Sequence, residues 1–523
     1  MGRGLILSAL TGSIALSYEI LWARFYSFVS GAASNSFGIL LASYLFGLGL
    51  GALVAGIICR NVEGHSPELN RKLGSFVLFA NLFGYIIAPA ASWIVLFIPY
   101  LWTLPLIVLS AGLLGAAFPL ISHITIPADA RAGLRLSFVY LANIAGSSIG
   151  SLLTGFVLLD YFSFSTISVI LVIAGILLAT LISEYRDPDN TKATVPARGS
   201  DFRRYGVLLA VLLVILLSKG KLFDGMYERL QWKKDMFAKG LDYRFARLYE
   251  SKSGVIAIGP DGSVHGGGMY DGFLDYRLKL GGWLLRPYSL SLFHPHPRRV
   301  LIVGVSGGAW TAVVNGHPQV ESITAVEINK HYRQVMEDEP KMRHLLTSPK
   351  LNLVFDDGRR WLNRNPEEHF DAVVMNTTYH FRTYVSNLLS REYMTLVSSH
   401  LSPGGVFLFN TTDSKEAMRT ALEVFPHCMM ILNATICSKE PLEFNAKRWL
   451  SVLDSYRING EQILSGEEGR KTRAWLETLT TEIDQKDALY EREGFRSQKR
   501  MLEDCSGARI VTDDNMATEY GDH

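Results

Sequence analysis

Cysteine is scarce in this chain, with four residues among 523. Cys59, Cys428, Cys437 and Cys505 are scattered and do not have the spacing of metal ligands. This shortage argues against a structural zinc site and against a small fold held together by disulfide bonds. We therefore expect ordinary thiols, no disulfide framework and no bound metal.

The chain also lacks an excess of charge of either sign, with 51 Lys and Arg residues, 49 Asp and Glu residues and a formal net charge of +2. Such a balance gives no bulk attraction for a phosphate backbone, so we expect no nucleic-acid partner. Hydrophobic residues make up 48% of the chain, which is high for a soluble protein. The first apolar run is too long for a signal peptide and lacks a small-residue cleavage site.

The apolar residues are concentrated in the first 219 positions. Six runs are long enough to cross about 30 Å of hydrocarbon; they lie near 4–30, 34–59, 74–98, 101–124, 136–160 and 163–184. A seventh run, Val207 to Leu217, is short and either spans or lies at the interface. Residues 1–219 are thus predicted to form an α-helical transmembrane domain of six or seven spans in an inner or plasma membrane.

The remaining chain is predicted to fold as three further segments. Residues 220–240 mix aromatic residues with lysines, which is typical of an interfacial connector. Residues 241–298 contain short alternating runs around a Pro-Asp-Gly turn and predict a small β-hairpin domain. Residues 299–523 predict an α/β domain with a C-terminal tail.

The α/β domain begins with an apolar strand that meets a glycine turn at Gly304, Gly307 and Gly308. A helix-compatible run follows, and a second apolar strand ends at Glu327 about twenty residues later. In a strand–turn–helix unit, glycines let the backbone approach a ligand, and an acid at the tip of the next strand can bind both ribose hydroxyls. The turn is not a full G-x-G-x-x-G, but with Glu327 it indicates a nucleoside-bearing cofactor.

Strands and helices alternate through the rest of this domain. A helix is expected over 329–345 and another over 386–400. Strands are expected over 351–355, 370–375 and 405–409, and polar residues follow them at Asp357, Asn376 and Asp413. This order predicts a Rossmann-like, mainly parallel sheet, whose ligands bind at the carboxyl ends of the strands.

Six blocks in this order, RRVLIVGVSGG, VEINK, DDGRRWL, FDAVVMN, NLLSREYM and LSPGGVFLF, resemble the spermidine synthase (aminopropyltransferase) family. The first apolar run, with SYEILWARFYSFVSG, and the tail TDDNMATEY look like the membrane-fused branch with N-terminal transmembrane helices. The resemblance implies the fold of S-adenosylmethionine-dependent methyltransferases, with S-adenosylmethionine or its decarboxylated form as co-substrate and no metal.

The resemblance also implies a cofactor site. Gly304 and Gly308 would approach the cofactor, Glu327 would hold the ribose, and Asp357 would take the adenine amino group. Gly307, Gly358 and Asn376 complete the predicted set.

Two departures from the family pattern fall at the acceptor end of the site. The family turn G-G-G-D-G-G has Gly307 here in place of its acid, and the catalytic turn D-S-[ST]-D-P reads Asn376-Thr-Thr-Tyr379-His380. An amine acceptor is protonated at neutral pH, with a pKa near ~10 by analogy with lysine. An acid must hold that cation and help to remove its proton, whereas an amide cannot take a proton and a phenol is a poor base. The nucleoside half of the site is therefore kept and the acceptor half is rebuilt.

Several residues are candidates for the rebuilt half. The predicted catalytic residues are Asn376, Tyr379, His380, Asp513 and Asp514. His380 could act as a base because histidine titrates near neutrality, and the tail acids Asp513, Asp514 and Glu519 could fold back to restore negative charge. Tyr270, Asp271 and Arg382 are further candidates.

Three functions are compatible with this pattern. Aminopropyl transfer to an amine is ranked first, on the resemblance. Methyl transfer or another cleavage of the sulfonium, acting on a membrane-proximal substrate, is the second. A non-catalytic nucleoside or polyamine sensor or transporter is the third. The expected partners are a small-molecule acceptor, which is an amine or is delivered by the membrane, and the lipid bilayer; a homodimer is left open.

Basic residues set the expected orientation in the membrane. They follow the second, fourth and sixth spans, at Arg60, Arg71 and Lys72, at Arg131 and Arg135, and within 186–204. The positive-inside rule places these loops and the N-terminus in the cytoplasm. A seventh span would put residues after 220 outside, whereas an interfacial run would keep them inside. Because the cofactor is made in the cytosol, we expect the catalytic domain to be cytoplasmic.

Overall fold

The computed structural model describes residues 2–60, 67–185, 198–279, 284–376, 379–483 and 495–520. The chain divides into two compact units, Met1–Val255 and Ile256–His523. The predicted boundaries at 219, 240 and 298 are finer than this division and stay predictions. Most of the basic segment 186–204, residues 186–197, lies outside the described residues.

The first unit is largely helical, as expected. Its helices are α1 (Gly2–Val29), α2 (Ser36–Arg60), α3 (Pro67–Ile94), α4 (Leu104–Thr125), α5 (Ala132–Leu152), α6 (Leu159–Tyr161), α7 (Phe164–Ser183), α8 (Arg198–Phe223), α9 (Met226–Trp232) and α10 (Met236–Lys239). A π-helical segment, Leu153–Leu158, joins α5 to α6. Within the described residues, seven helical stretches are long and apolar enough to cross a membrane.

Large apolar side chains point outward from several of these helices. Leu53 is 68% exposed, Phe46 62% and Ile149 63%. A water-soluble protein rarely exposes so many large apolar side chains along whole helices. The first unit is therefore compatible with insertion into lipid.

Glycines allow pairs of these helices to pack closely. A Cβ atom added to Gly51 of α2 would overlap the carbonyl oxygen of Gly112 in α4, and one added to Gly146 of α5 would overlap that of Ala9 in α1. Small residues are the usual means of helix association in lipid, where no hydrophobic effect drives it.

The seventh apolar run belongs to a longer helix than the sequence suggested. Helix α8 lies antiparallel to α7, since Tyr205 donates a hydrogen bond to Glu184 at one end and Lys219 Nζ donates to Thr166 Oγ1 at the other, at 2.7 Å. Its Ile215 packs with Tyr85, Val169 and Val172. The run Val207 to Leu217 thus lies inside a helix that extends over the length of its neighbour.

The second unit contains most of the strands. β1 (Arg247–Ser251) precedes it and β2 (Gly254–Ile258) crosses the division; the others are β3 (Ser263–Gly266), β4 (Met269–Phe273), β5 (Arg299–Val303), β6 (Ser322–Glu327), β7 (Leu351–Phe355), β8 (Phe370–Met375), β9 (Leu401–Asn410), β10 (His427–Ile431), β11 (Ala434–Ser438), β12 (Arg457–Ile458), β13 (Glu461–Gln462) and β14 (Phe495–Arg496). Its helices are α11 (Leu285–Tyr288), α12 (Leu290–Phe293), α13 (Ala309–Gly316), α14 (His331–Asp338), α15 (Gly358–Arg364), α16 (Ser386–Leu389), α17 (Arg391–Ser399), α18 (Lys415–Val424), α19 (Ala446–Ser455), α20 (Gly466–Ile483) and α21 (Gln498–Asp504).

The main sheet has the strand order β14-β10-β11-β9-β8-β5-β6-β7. The pairs from β9 to β7 are parallel, and β11, β10 and β14 extend the sheet antiparallel. Residues 300–303 of β5 are almost fully buried, as in parallel strands covered on both faces. The chain runs from β5 to β6 and β7 on one side, then returns to β8 and β9 on the other. Ligands bind at such a reversal, here beyond the ends of β5 and β8.

Two of the four cysteines form a disulfide bond, contrary to the expectation of ordinary thiols. Cys428 in β10 lies directly opposite Cys437 in β11, with their Cα atoms 4.2 Å apart. The two strands are joined at Leu432 and Asn433, so residues equally far from this turn face each other. The spacing of nine residues alone did not suggest a disulfide bond, which forms because the hairpin register places the two cysteines opposite each other.

Candidate functional site

A cavity of about 690 Å³ lies at the carboxyl ends of β5, β8 and β9. Its lining includes Val305, Ser306 and Gly307 from the glycine turn, Asn376 and Tyr379 after β8, and Asn410, Thr412 and Asp413 from the end of β9 and the residues after it. The hairpin strand β4 contributes Tyr270 and Asp271. Gly307, Asn376 and Tyr379 are thus predicted site residues that the fold brings together around one space of ligand size.

The glycine turn requires glycine at two of its positions. Gly304 has a φ of +85°, and a Cβ atom there would lie 2.8 Å from the carbonyl oxygen of Asn376. Gly308 has a φ of +92° and precedes α13 as its N-cap residue. Both values favour glycine over other residues. The turn therefore brings its backbone against the residue that follows β8.

Gly307 stands where the family has an acid, and the hairpin covers it. A Cβ atom at this position would lie 2.7 Å from Leu274 Cδ2 and 3.1 Å from Val264 Cγ2. An aspartate could fit only if the end of the Leu274 side chain moved. Apolar side chains thus surround position 307, where the family that the sequence resembles has an acid.

Glu327 lies behind the glycine turn and is 5% exposed. Its Oε2 accepts hydrogen bonds from the backbone amides of Val305 at 2.8 Å and Ser306 at 3.1 Å, and its Oε1 accepts one from Asn329 N at 2.9 Å. Burial raises the pKa of Glu327 to about 7, although the three amides oppose the rise. The carboxyl group therefore holds the turn in shape; Glu327 does not line the cavity itself, and its contact with a ribose stays a prediction.

Asp357 and Gly358 start helix α15. Asp357 caps it by accepting a hydrogen bond from Arg360 N at 2.8 Å. Gly358 packs on β5, since a Cβ atom there would lie 2.6 Å from Val303 Cγ1. These two residues form the turn between the end of β7 and α15. Their contact with a nucleoside stays a prediction.

Asn376 and Tyr379 line the cavity, whereas Thr377 and Thr378 between them lie outside the described residues. The backbone amide of Asn376 donates to Val303 O at 3.0 Å, which ties the end of β8 to that of β5. His380 follows and is held by Thr412: its amide donates to Thr412 Oγ1 at 3.0 Å, and its Nδ1 lies 2.9 Å from Thr412 O. His380 thus supports a cavity residue through its main-chain and ring contacts.

The tail folds back onto the second unit, but to a different place from the cavity lining. Asp513 forms two hydrogen bonds with the Arg359 guanidinium, at 2.7 and 2.6 Å, and this pairing lowers the pKa of Asp513. Asp514 is exposed. The buried Glu519 accepts a hydrogen bond from Ser386 N at 2.9 Å. Asp513 and Glu519 therefore secure α15 and α16, and none of the three predicted tail acids lines the cavity.

The tail gives a direct test of the predicted catalytic role of Asp513. We expect Asp513→Asn to lower the free energy of unfolding by about 1 kcal/mol or less, since the Arg359 pair is partly exposed to solvent. Nucleoside affinity, measured by calorimetry, should stay within twofold. A hundredfold loss of turnover at unchanged stability would instead assign this acid to the chemistry.

Other cavity residues had no sequence signal. Arg286 of α11 is 7% exposed, donates to Asn433 Oδ1 at 2.7 Å and lies 5.0 Å over the Trp310 ring. Burial lowers the pKa of Arg286 to about 10. Since Arg286 and Asn433 are 147 positions apart, only the fold brings them together.

The hairpin side of the cavity is tied to the glycine turn. Ser306 Oγ donates to the backbone oxygen of Asp271 at 3.0 Å, and Tyr332 Oη donates to the Asp271 carboxylate at 2.5 Å. Burial raises the pKa of Asp271, with Tyr332 and Arg382 opposing the rise. Burial also raises the pKa of Tyr270 to about 12. Of the predicted candidates, Tyr270 and Asp271 therefore line the cavity, whereas Arg382 acts on it only through its charge near Asp271.

Comparison with known proteins matches this region to one family. The spermine/spermidine synthase domain family matches residues 289–434. A spermidine synthase from Dictyostelium discoideum is 33% identical over 114 residues, covering 22% of this chain and 39% of that protein. Putrescine N-methyltransferase 2 from Nicotiana attenuata is 22% identical over 222 residues, covering 41% of this chain and 56% of that protein. The chain thus spans 39% and 56% of the length of these curated relatives.

Among solved structures, spermidine synthase from Thermotoga maritima aligns with a TM-score of 0.33 and 17% identity, over 44% of this chain and 83% of that one. The matched residues 289–434 contain β5 to β10, the glycine turn and the residues after β8. Residues 289–434 thus match the spermine/spermidine synthase domain family, and in this chain they follow a series of long apolar helices.

Proposed function

We propose that this protein is a membrane-bound, spermidine synthase-like transferase that moves an aminopropyl group from decarboxylated S-adenosylmethionine to an amine. The observation that carries the proposal is the cavity of about 690 Å³ at the strand reversal, inside the matched domain. Its volume is within the range of small-ligand sites.

The residues around the cavity fit the nucleoside half of such a donor. The glycine turn presents backbone at Val305, Ser306 and Gly307, and Glu327 stands directly behind it. In this proposal, a bound donor would take a share of the Glu327 carboxylate through its ribose hydroxyls, while Asp357 serves the base. When bound, the donor supplies a sulfonium whose neighbouring carbon is open to attack by an amine.

The acceptor half needs an acid to replace those that are missing. Four aspartates line the cavity: Asp261 accepts hydrogen bonds from Ser263 N and Oγ, Asp275 is paired with Arg277 and Lys341, Asp271 is bonded to Tyr332, and the fourth is Asp413. Asp413 is exposed at the cavity and lies within electrostatic range of Arg286. We assign Asp413 to hold the acceptor amine, with Asn376 and Tyr379 orienting it.

Methyl transfer from intact S-adenosylmethionine is the second candidate. Relatives with the printed names spermidine synthase and putrescine N-methyltransferase both match this chain. The donor groups of the two reactions differ by one carboxylate, which the buried Arg286 could attract.

Identifying the nucleoside product separates the two reactions. Purified protein in detergent is incubated with each donor and a set of amines, and the products are analysed by mass spectrometry. Methylthioadenosine is expected and supports aminopropyl transfer, whereas S-adenosylhomocysteine assigns methyl transfer. If the donor binds but neither nucleoside product forms with any amine, the transferase function is excluded.

A further inference from the structure

The loops that join the long helices of the first unit are basic at one end and contain no Lys or Arg at the other. Lys and Arg residues follow α2, α4 and α7 in the sequence, whereas the connections at 30–35, 95–99 and 162–163 contain none. Such an asymmetry places the basic end in the cytoplasm.

Helix α8 connects the two ends. Near its start Tyr205 contacts Glu184, which follows α7 at the basic end, and near its finish Lys219 contacts Thr166, two residues into α7. A helix antiparallel to α7 over this length crosses whatever thickness α7 crosses. The chain after residue 219, which carries lysines of its own such as Lys219 and Lys221, therefore emerges at the end where the loops between α1 and α2, α3 and α4, and α6 and α7 contain no Lys or Arg.

Residues 224–252 are bonded to that same end of the first unit. Glu250 Oε2 accepts hydrogen bonds from the Phe164 amide at 2.8 Å and from Tyr227 Oη at 2.7 Å. Arg24 Nη2 donates to Lys252 O at 2.8 Å, and Arg229 Nε donates to Ser92 Oγ at 3.0 Å. The partners Arg24, Ser92 and Phe164 lie near the finish of α1, the finish of α3 and the start of α7. The chain is thus fixed at this end before it continues into the second unit.

The cysteine pair is an independent observation about the compartment. Cys428 and Cys437 are bonded across neighbouring strands, and Cys428 is 2% and Cys437 0% exposed. Disulfide bonds persist in oxidising compartments and are rare in the cytosol, where thiols are kept reduced. Cys59 and Cys505 are free.

We propose that the second unit lies on the non-cytoplasmic side of the membrane and that Cys428 and Cys437 are oxidised there. In that step each Sγ–H bond is broken, one Sγ–Sγ bond forms, and two electrons and two protons pass to a protein disulfide donor, which becomes a dithiol. This placement replaces the cytoplasmic side expected from the cofactor alone. Together with the proposed function it implies a transport step that supplies the nucleoside donor, because such donors are made in the cytosol.

Side-specific labelling tests the placement. In a Cys59→Ser background, Glu461→Cys places a thiol at the exposed β12–β13 hairpin, and Glu68→Cys places one on a side chain that is 76% exposed, at the basic end. A membrane-impermeant maleimide added to intact cells should label Glu461→Cys, and should label Glu68→Cys only after permeabilisation. The reverse pattern would overturn the proposal.

Counting oxidised thiols tests the modification. Cells are lysed in denaturant with N-ethylmaleimide, reduced, and treated with a polyethylene glycol maleimide that retards the protein on a gel. We expect two additions on the wild type and none on the double variant Cys428→Ser, Cys437→Ser. Wild-type protein with no addition would overturn the oxidation. Both tests are independent of the product assay, which uses purified protein and is indifferent to the side.

Discussion

Glu327→Ala is expected to reduce nucleoside affinity at least about a hundredfold. The change removes the acceptor for three backbone amides, those of Val305, Ser306 and Asn329, and each unsatisfied buried donor costs about 1–3 kcal/mol. It also removes the predicted partner of the ribose. Calorimetry with S-adenosylmethionine and its decarboxylated form measures the loss, and circular dichroism checks that the helical first unit stays folded.

Glu327→Gln is the matched control. One amide oxygen can keep the hydrogen bonds to Val305 and Ser306, but the NH₂ group then faces the Asn329 amide and cannot accept from it. We expect the nucleoside affinity of Glu327→Gln to lie between that of the wild type and that of Glu327→Ala. Affinity in Glu327→Ala equal to that of the wild type would show that the nucleoside does not use this strand end.

The pH dependence of binding and stability follows from the raised pKa of Glu327. Its pKa of about 7 means that the carboxylate, the better acceptor for ribose hydroxyls, forms as pH rises through 7. Affinity should therefore increase from pH 6 to pH 8 in the wild type and stay flat in Glu327→Gln.

Stability should change in the opposite sense. Between pH 4.5 and 7 the Glu327 side chain loses its proton in the unfolded chain but keeps it in the folded protein, so the free energy of unfolding falls as pH rises. Thermal unfolding of both proteins over that range tests the sign.

The strand ends could be predicted from the sequence because each combines an apolar run with a following turn or acid. That pattern located Gly304, Glu327, Asp357 and Asn376, and the parallel sheet places these residues at the same edge. The helix expected over 329–345 is divided, since α14 ends at Asp338 and Glu339 takes an extended backbone before Pro340. Proline disfavours helical backbone in the residue before it, so the end of α14 before Pro340 could have been predicted from the sequence.

Contacts between distant segments could not be predicted. Arg286 meets Asn433, and Asp513 meets Arg359, through the tertiary fold and with no local pattern. The cysteine pair is an intermediate case. Leu432 and Asn433 form a turn, with a φ of +55° at Leu432, and Cys428 and Cys437 are equally distant from it. Recognising that hairpin would have placed the two thiols opposite each other.

The second large effect is expected from restoring the family acids. The double variant Asn376→Asp, Tyr379→Asp puts two carboxylates at positions that line the cavity. A charge-assisted hydrogen bond to an ammonium group contributes about 1.5–3 kcal/mol, so kcat/KM for a diamine such as putrescine should rise at least about tenfold. Steady-state kinetics with the decarboxylated donor measures the change, and Tyr379→Asn, which loses the same ring without gaining a charge, is the control for lost packing.

Position 307 limits this gain. The family acid cannot be added there without moving Leu274, so a triple variant with Gly307→Asp should need Leu274→Ala as well to gain further activity. If the double variant binds the nucleoside normally yet gains no activity with any diamine, the natural acceptor is recognised elsewhere than at Asn376 and Tyr379. Its amine would then be held by Asp413 without help from these two positions, and Asp413→Asn should lower turnover of the true acceptor while leaving donor affinity unchanged.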